Sequence, residues 1–408
     1  MKPLAGVRVL AAEQMQALPY ATQLLARLGA DVVKVEPLVG ESGRASQPAM
    51  LDPEGRPVGA TFLRNNLNKR SVAVDLKSVA GRDLFLRLAP RFDVVAENFK
   101  AGAMARLGLG YDAVAAVHPS VVYVSVSGFG NTDGSPYADW PAYSSIVEAM
   151  SGIYDYVRRP GEAPRANPVG ALGDISSALF AVVGTLAALR HRDRTGDGQH
   201  VDVAMLDATV AMTDIVANFA SLGMERQPHP PSYILDSFRA ADGWFVMQVV
   251  REHQFERLAR VVGHGEWLED PRLASRAGWG EHLDDVIRPG VEGWAASRTK
   301  LDAARQLTAA GVAAGPCSSA TDVIADPHVA ARHMLVQVEG VEGVEQPVLV
   351  PGNPVKLSRM DDTPATCLPA VGEHTDEVLG EELGLGEAEL ADLAAAGVIG
   401  RGRGAALS

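Results

Sequence analysis

The chain has few of the residues that build disulfide scaffolds or metal centres. Only two of its 408 residues are cysteines, Cys317 and Cys367, and its ten histidines include no HxH or HExxH pair. Two isolated thiols give neither a disulfide framework nor the spacing of metal ligands. We therefore expect a reduced, metal-free protein.

Positive charge is also scarce. The chain carries 37 Lys and Arg against 50 Asp and Glu, a formal net charge of −13. Nucleic-acid binding relies on clustered basic side chains, so nucleic acid is not an expected partner. The N-terminal apolar run is too short for a signal peptide, and no run approaches the ~18–20 apolar residues that span a bilayer. These features predict a cytoplasmic protein with no membrane partner.

Three widespread motifs are missing. The first predicted strand ends in AAEQMQALP without a GxGxxG fingerprint, and neither a Walker A loop nor a GxSxG elbow occurs. A dinucleotide-binding Rossmann enzyme and an α/β-hydrolase are therefore disfavoured.

Val-rich runs alternate with helical patterns over the first 130 residues. The pattern predicts helices at 20–28 and 80–88 and strands at 7–11, 31–35, 71–76, 92–96 and 121–125. Unbroken apolar strands separated by helices predict an α/β fold with a Rossmann-like parallel sheet covered on both faces. Such sheets bind ligands beyond the carboxyl ends of their strands.

The rest of the chain has a different pattern. Helical character dominates from 146 to 222, and a QPHPP segment at 227–231 then breaks it. A smaller α+β segment follows, with a predicted strand at 244–250 and helices near 252–262 and 301–310. Two short strand-like runs and a helical tail follow residue 333.

Short polar turns beside predicted strand ends supply amide and cationic donors. They are Asn66–Arg70, Glu97–Lys100 and the nearby Arg106. A ligand with phosphates and an adenine would need that combination. Solvated loop charges would produce the same pattern, so the turns alone leave both interpretations open.

Asp174 precedes a strongly apolar helical run and follows the flexible Gly170–Gly173 segment. One interpretation is an N-cap, with the carboxylate accepting from the first backbone N–H groups of the helix. The other is a nucleophile, because the helix dipole keeps a carboxylate ionised and glycines allow a substrate to approach closely. Local physics does not separate the two.

Long blocks of the sequence resemble class III CoA-transferases, the CaiB/BaiF family that includes formyl-CoA transferase. They include LAGVRVL at 4–10, NKRSVAVDLK at 68–77, DVVAENFKAGAMARLGLGYD at 93–112 and VVYVSVSGFG at 121–130, and GDISSALFAVVGTLAALRHRDRTGDGQHVDVAMLDA at 173–208. The resemblance implies a large CoA-binding domain built from both chain ends, 1–224 and 333–408. It also implies a smaller α+β domain at 225–332 and an interlocked ring homodimer.

The resemblance implies a chemistry as well. Asp174 would be the nucleophile of a CoA-transferase that moves CoA from an acyl-CoA to a small carboxylic acid through aspartyl anhydride and aspartyl-CoA thioester intermediates. No tightly bound cofactor is expected, since CoA enters as substrate. The positions that carry over as CoA contacts are Gln16, Ala17, Asn66, Leu67, Asn68, Asn98, Phe99, Lys100, Arg106, Val126, Ser127, Gly128 and Phe129.

Two departures from the family pattern bear on the substrate. Pro37 follows Glu36 where the family often has a basic residue, so Arg44 is expected to supply that charge. The oxalate-using branch has a glycine-rich loop where this chain has Ala240–Trp244, so oxalate is not an expected acceptor. Arg158 and Arg159 would suit a dicarboxylate acceptor, although a solvated turn is the favoured interpretation. Succinyl-CoA with a C4–C5 dicarboxylate is the working guess.

Two alternatives stay open. A 2-methylacyl-CoA racemase shares the fold, but it needs an acid and a base on opposite faces of the α-carbon. Racemases place a His–Asp pair where this chain has Ala142–Ser144, and Tyr143 is a poor substitute for histidine. A non-catalytic CoA-binding paralogue would keep the turns and lose the nucleophile.

Overall fold

The computed structural model describes residues 2–53, 55–132, 134–158, 161–167, 170–224, 231–338, 347–360 and 367–402. The chain divides into two compact units: Met1–Ile215 together with Ala331–Ser408, and Val216–Ala330.

The first stretch of the larger unit alternates strands and helices. Strands β1–β8 are Arg8–Ala12, Asp31–Glu36, Ala49–Leu51, Pro57–Gly59, Arg70–Val74, Val94–Glu97, Val122–Ser127 and Gln199–Ala204. Helices α1–α9 are Ala17–Arg27, Ala60–Asn65, Val79–Leu88, Ala103–Arg106, Tyr111–Val117, Ser144–Met150, Ile153–Tyr156, Leu172–Thr195 and Met205–Ala211.

The smaller unit contains a three-stranded antiparallel sheet with helices packed on one face. Strands β9–β11 are Ile234–Ala240, Gly243–Val249 and Ala313–Pro316. Helices α10–α14 are Glu252–Val262, Arg276–Glu281, Arg288–Ala295, Lys300–Ala309 and Ala320–Ile324.

Helix α15, Pro327–Ala331, ends at the residue where the chain returns to the larger unit. There, helices α16 and α17 are Thr375–Leu383 and Glu387–Ala395, and strands β12–β14 are Leu335–Gln337, Leu349–Pro351 and Ile399–Gly400.

A seven-stranded sheet organises the larger unit, in the order β14-β5-β2-β1-β6-β7-β8. Its strands pair in parallel, except that β14 runs antiparallel to β5. Leu10 and Ala12 of β1 face a core shared with α3, α5, α16 and α17, while Val9 and Ala11 face a core shared with α1 and α8. The predicted α/β sheet, covered on both faces, is confirmed.

Strand β8 corrects the sequence interpretation, in which helical character dominated 146–222 and no strand was predicted there. The segment Gln199–Ala204 lies at the sheet edge, and most of its residues are only half-buried. Because an edge strand needs no continuous apolar run, QHVDVA lacked the signal that marked the central strands.

Helix α8 corrects the expectation that no apolar run approaches the length needed to span a bilayer. Within the described residues, α8 is the one helix that is by itself long and apolar enough, by length and composition, to cross a membrane. The bent pair Met205–Ala211 and Ile215–Leu222 passes the same test only when its two segments are combined. Of the apolar window of α8, 44% is buried, because one side of the helix packs on α1, β7 and β8. Its exposed large apolar side chains are Leu172, Leu179, Phe180, Val183 and Leu186.

Candidate active site

Turns that follow three neighbouring strands line one cavity of about 540 Å³. The strands are β6, β1 and β7, with β6 between the other two in the sheet. Because the carboxyl ends of parallel strands meet at one edge, turns that are distant in sequence come together there. The sequence-predicted residues that line this cavity are Gln16, Ala17, Asn98, Phe99, Lys100, Val126, Ser127, Gly128, Phe129 and Asp174.

Reciprocal hydrogen bonds join two of these turns. The Gln14 backbone N–H donates to Asn98 Oδ1, and Asn98 Nδ2 donates to the Gln14 carbonyl, both at 2.9 Å. Met15, in the same turn, has the left-handed backbone angle φ 61° and donates its N–H to buried Glu41 at 3.1 Å. The turn after β1 is therefore fixed on both sides, and Gln16 begins helix α1 from it.

Asp174 lies in the first turn of α8 but does not cap the helix. The N-cap is Ala171, which has no side chain able to accept a hydrogen bond there. Within the described part of the chain, the Asp174 carboxylate accepts no hydrogen bond, although it lines the cavity. The capping interpretation is therefore wrong for this residue.

Burial raises the pKa of the Asp174 carboxyl to about 6, and the negative charge of Glu148 adds to the shift. The positive end of the helix dipole acts in the opposite direction, since it favours the carboxylate. At neutral pH the group remains mostly ionised, and it becomes protonated below about pH 6.

A buried network missed from the sequence lies beside Asp174. Glu148, on α6, accepts from Ser144 Oγ at 2.5 Å and from the Tyr154 hydroxyl at 2.8 Å. Ser144 Oγ in turn accepts from the Gly173 backbone N–H at 2.8 Å. The only sequence signal was the four-residue spacing of Ser144 and Glu148 on one helix face, which many surface helices share.

The Asn66–Asn68 turn lies apart from this cavity. Asn66 is buried, donates to the Phe62 carbonyl at 2.9 Å and accepts from Lys69 Nζ at 3.1 Å. Leu67 is also buried, whereas Asn68 is exposed in a left-handed conformation. The Asn66 amide thus holds the turn itself, whereas the Asn68 side chain faces solvent.

Arg44 also lies elsewhere, on a second cavity of about 920 Å³. Its guanidinium donates to both carboxylate oxygens of Glu36, at 2.7 and 2.6 Å, and lies 4.1 Å from the Phe62 ring centre. The Arg44 contact lowers the pKa of Glu36, although burial acts in the opposite direction. The charge expected from Arg44 is therefore compensated by Glu36 within the chain.

The other arginines that the sequence analysis considered as ligand contacts do not line the cavity of Asp174 where the structure describes them. Arg106 is exposed at the end of α4 and does not line the cavity of Asp174. Arg158 forms an ion pair with Asp155 at 2.9 Å and lines an adjoining cavity of about 480 Å³ that shares Tyr154 and Asn167 with the first. Arg159 lies outside the described residues.

Tyr143 occupies the position that bears on racemisation. It precedes α6, is 73% exposed and lines the cavity together with Asp174. Among the described residues, no group of three or more His, Cys, Asp or Glu side chains is placed to hold a metal ion.

Known proteins resemble the chain over nearly its whole length. A family model described as CoA-transferase family III matches residues 4–375. The chain is 34% identical to succinyl-CoA:mesaconate CoA-transferase of Haloarcula hispanica, over 95% of this chain and 98% of that protein. It is also 34% identical to formyl-CoA:oxalate CoA-transferase of Streptomyces avermitilis, over 98% and 100%. A crystal structure of a CAIB/BAIF family protein from Brucella suis matches with a TM-score of 0.82 and 31% identity, over 93% of this chain and 99% of that one.

Proposed function

Because this chain belongs to CoA-transferase family III and is an enzyme of that class, we propose that Asp174 is the nucleophile that moves CoA from an acyl-CoA thioester to a carboxylic acid. One observation carries the assignment: Asp174 lines the cavity at the strand ends, and its carboxylate accepts no hydrogen bond from the described residues. An ionised carboxylate without such a partner keeps its lone pairs available to attack a thioester carbonyl.

The proposed reaction proceeds through four acyl exchanges. The Asp174 carboxylate attacks the acyl-CoA, which forms a mixed anhydride and releases the CoA thiolate. The thiolate attacks the aspartyl carbonyl of the anhydride, which gives an aspartyl-CoA thioester and releases the first acid. The acceptor carboxylate attacks that thioester, forming a second anhydride, and the thiolate then attacks its acceptor carbonyl. The new acyl-CoA leaves and the Asp174 carboxylate is restored.

We propose that the thioester arm of CoA lies along the cavity turns. Gln16, Asn98 and Lys100 contribute polar side chains to the same cavity that Asp174 lines. Lys100 is 3.7 Å from Asp139 and half-exposed, so its ammonium is accessible to a phosphate. Arg44, Asn66, Leu67, Asn68 and Arg106 remain proposed contacts for more distant parts of CoA.

A small dicarboxylic acid is the acceptor that we propose. Mesaconate and oxalate, in the names of the two relatives, both have two carboxylates. The Ala240–Trp244 segment, without a glycine-rich loop, favours a C4–C5 acid over oxalate. A matrix of acyl-CoA donors against carboxylic acids, read by mass spectrometry for new thioesters, tests this choice.

The proposal extends to assembly. We propose that the larger and smaller units correspond to the large and small domains of the family and that two chains interlock as a homodimer. The exposed apolar side chains of α8 support a partner surface, because a monomer would leave Phe180 and Val183 in water.

Replacement of the nucleophile is the decisive test. The D174A variant should bind acyl-CoA and transfer none of it, with a fall in kcat of several orders of magnitude. Asp193, exposed at the far end of the same helix, provides the matched control D193A, which should retain wild-type activity. Transfer by D174A at a rate near that of D193A would refute the assignment.

A second measurement separates transfer from racemisation. The enzyme is incubated in D₂O with one enantiomer of a 2-methylacyl-CoA and no acceptor acid. We expect no deuterium at the α-carbon, because Tyr143 and Asp174 do not form the His–Asp pair of a racemase. Incorporation of deuterium would favour the racemase.

A further inference from the structure

Glu148 is buried beside the proposed nucleophile and has no role in the steps above. Glu148 is only 2% exposed, and it is one of the residues that line the cavity of Asp174. A buried carboxylate is costly unless hydrogen bonds compensate it. The Ser144 and Tyr154 hydroxyls provide such bonds, and the Gly173 N–H approaches Glu148 Oε1 at 3.4 Å.

Ser144 connects this carboxylate to the helix that carries Asp174. Its hydroxyl donates to Glu148, so its oxygen lone pairs point to the N-terminus of α8. They accept from the N–H of Gly173 at 2.8 Å and lie 3.4 Å from the N–H of Asp174. Ser144 therefore accepts from first-turn N–H groups that have no partner within the helix, and those groups could otherwise bind an aspartate in the same turn.

Close packing fixes this arrangement. A Cβ built on Gly173 would lie 2.5 Å from Val147 Cγ2 and 3.1 Å from Ser144 Oγ. The absence of a side chain at 173 lets the first turn of α8 approach α6 closely enough for the serine bridge.

We propose that Glu148 is a positioning residue that holds the first turn of α8 through Ser144, leaves the Asp174 carboxylate free to face the substrate, and places a second negative charge beside it. The proposal rests on the assignment of Asp174 as the nucleophile. It concerns how that carboxylate is kept available and how strongly it holds a proton.

The charge of Glu148 has a measurable consequence. Among the described residues, the titratable side chains that line the cavity with Asp174 are Lys100, Tyr143, Glu148 and Tyr154. Lys100 already faces Asp139, and burial together with Glu148 raises the pKa of Tyr154, so that hydroxyl stays a neutral donor. After burial, Glu148 is the group that raises the pKa of Asp174, to about 6. Activity of the wild type should therefore fall as pH decreases through about 6, because the protonated acid is not a nucleophile.

The E148Q variant tests the charge with little change in shape. The carboxamide oxygen can accept from Ser144, and its NH₂ can donate to the Tyr154 oxygen, so the network persists without the charge. The acidic limb of the pH profile of kcat/KM should move to lower pH by up to about one unit. At pH 5, kcat/KM as a fraction of its plateau value should then be roughly threefold to fivefold higher in E148Q than in the wild type. E269Q, at an exposed glutamate in the smaller unit, should keep the wild-type limb.

The S144A variant tests the bridge. With the hydroxyl removed, the first-turn N–H groups are free to bind the Asp174 carboxylate, so kcat should fall at least tenfold and the acidic limb should also move down. Thermal unfolding of each variant is measured in parallel. If E148Q does not fold, the pH profile of S144A alone decides.

The outcomes distinguish this inference from the function itself. A lowered limb in E148Q or S144A, with D174A inactive, supports the positioning role. An unmoved limb in the folded variants, with D174A still inactive, overturns that role and leaves the nucleophile in place. Activity in D174A overturns both.

Discussion

A buried charge at Lys69 supports the turn that enters the active site after β1. Its ammonium contacts Glu13 Oε1 at 2.7 Å, Thr22 Oγ1 at 2.8 Å and the Pro19 carbonyl at 3.0 Å, and the side chain is fully buried. Burial lowers the pKa of Lys69 to about 8, against the opposing effect of Glu13. With that pKa the Lys69 ammonium is still mostly charged at neutral pH, in an environment where a lone charge is strongly destabilising.

The K69M variant should lower the free energy of unfolding by about 3–5 kcal/mol, because it leaves the Glu13 carboxylate buried without its nearest partner. Lys34 lies 3.7 Å from the same oxygen, which places the expected loss toward the lower end. Urea denaturation at pH 7 measures the change, with K77M at an exposed lysine as the matched control. A loss no larger than that of K77M would contradict the role given to Lys69.

Single residues differed in how far the sequence revealed them. Asp174 and the Asn98–Lys100 turn stood in recognisable motifs beside predicted strand ends, and the structure brings them to one cavity. Glu148 did not stand out, and Lys69 was noticed only as a cationic donor of the Asn66–Arg70 turn, because the roles of both depend on the burial that tertiary packing creates. The cap and nucleophile interpretations of Asp174 separated only when Ser144, thirty residues away, was found to hold the helix N-terminus.

At the scale of the element, the packing of α8 on β8 explains a glycine in the middle of the helix. Gly184 lies in the middle of α8, where glycine weakens a helix by about 1 kcal/mol relative to alanine. A Cβ at this position would lie 2.5 Å from Val201 Cγ1 on β8. The glycine therefore permits the close packing of the helix on the edge strand.

The G184A variant tests this balance. Helix propensity alone predicts stabilisation by about 1 kcal/mol, while overpacking against Val201 costs about 1–3 kcal/mol, so we expect a net loss of stability. Gly293, in α12, has no heavy atom within 4 Å of a built Cβ, so G293A should gain stability. The melting temperatures of the two variants should move in opposite directions; a rise for G184A would show that β8 does not restrict the helix.

The strands were predicted best where both faces are buried. Strands covered on both faces, such as Arg8–Ala12 with its apolar VLAA run, were predicted within one or two residues. Strand β8 was missed because only one side of it meets the core, and β14 is a two-residue strand with too few positions to form a pattern.

At the scale of the whole molecule, the order of strands was beyond prediction from one sequence. The antiparallel pairing of Ile399 with Val74 joins the end of the chain to a strand formed more than 300 residues earlier. No local pattern encodes such a pairing, since it follows from which edge of the sheet remains uncovered after the other strands have paired. Only the family resemblance indicated that both chain ends build one domain.

The exposed apolar side of α8 leads to the last prediction, which concerns assembly. Val183 is 63% exposed in the single chain, so an aspartate there should cost little in a monomer. In the proposed dimer the same aspartate would be buried without a partner, which disfavours association by several kcal/mol. Light scattering should give the wild type twice the chain mass of 43.0 kDa and V183D a mass near one chain at micromolar concentration. V79D, at a valine that is 76% exposed at the start of α3, should remain dimeric. A dimeric V183D would place the partner surface elsewhere, and a monomeric wild type would remove the dimer altogether.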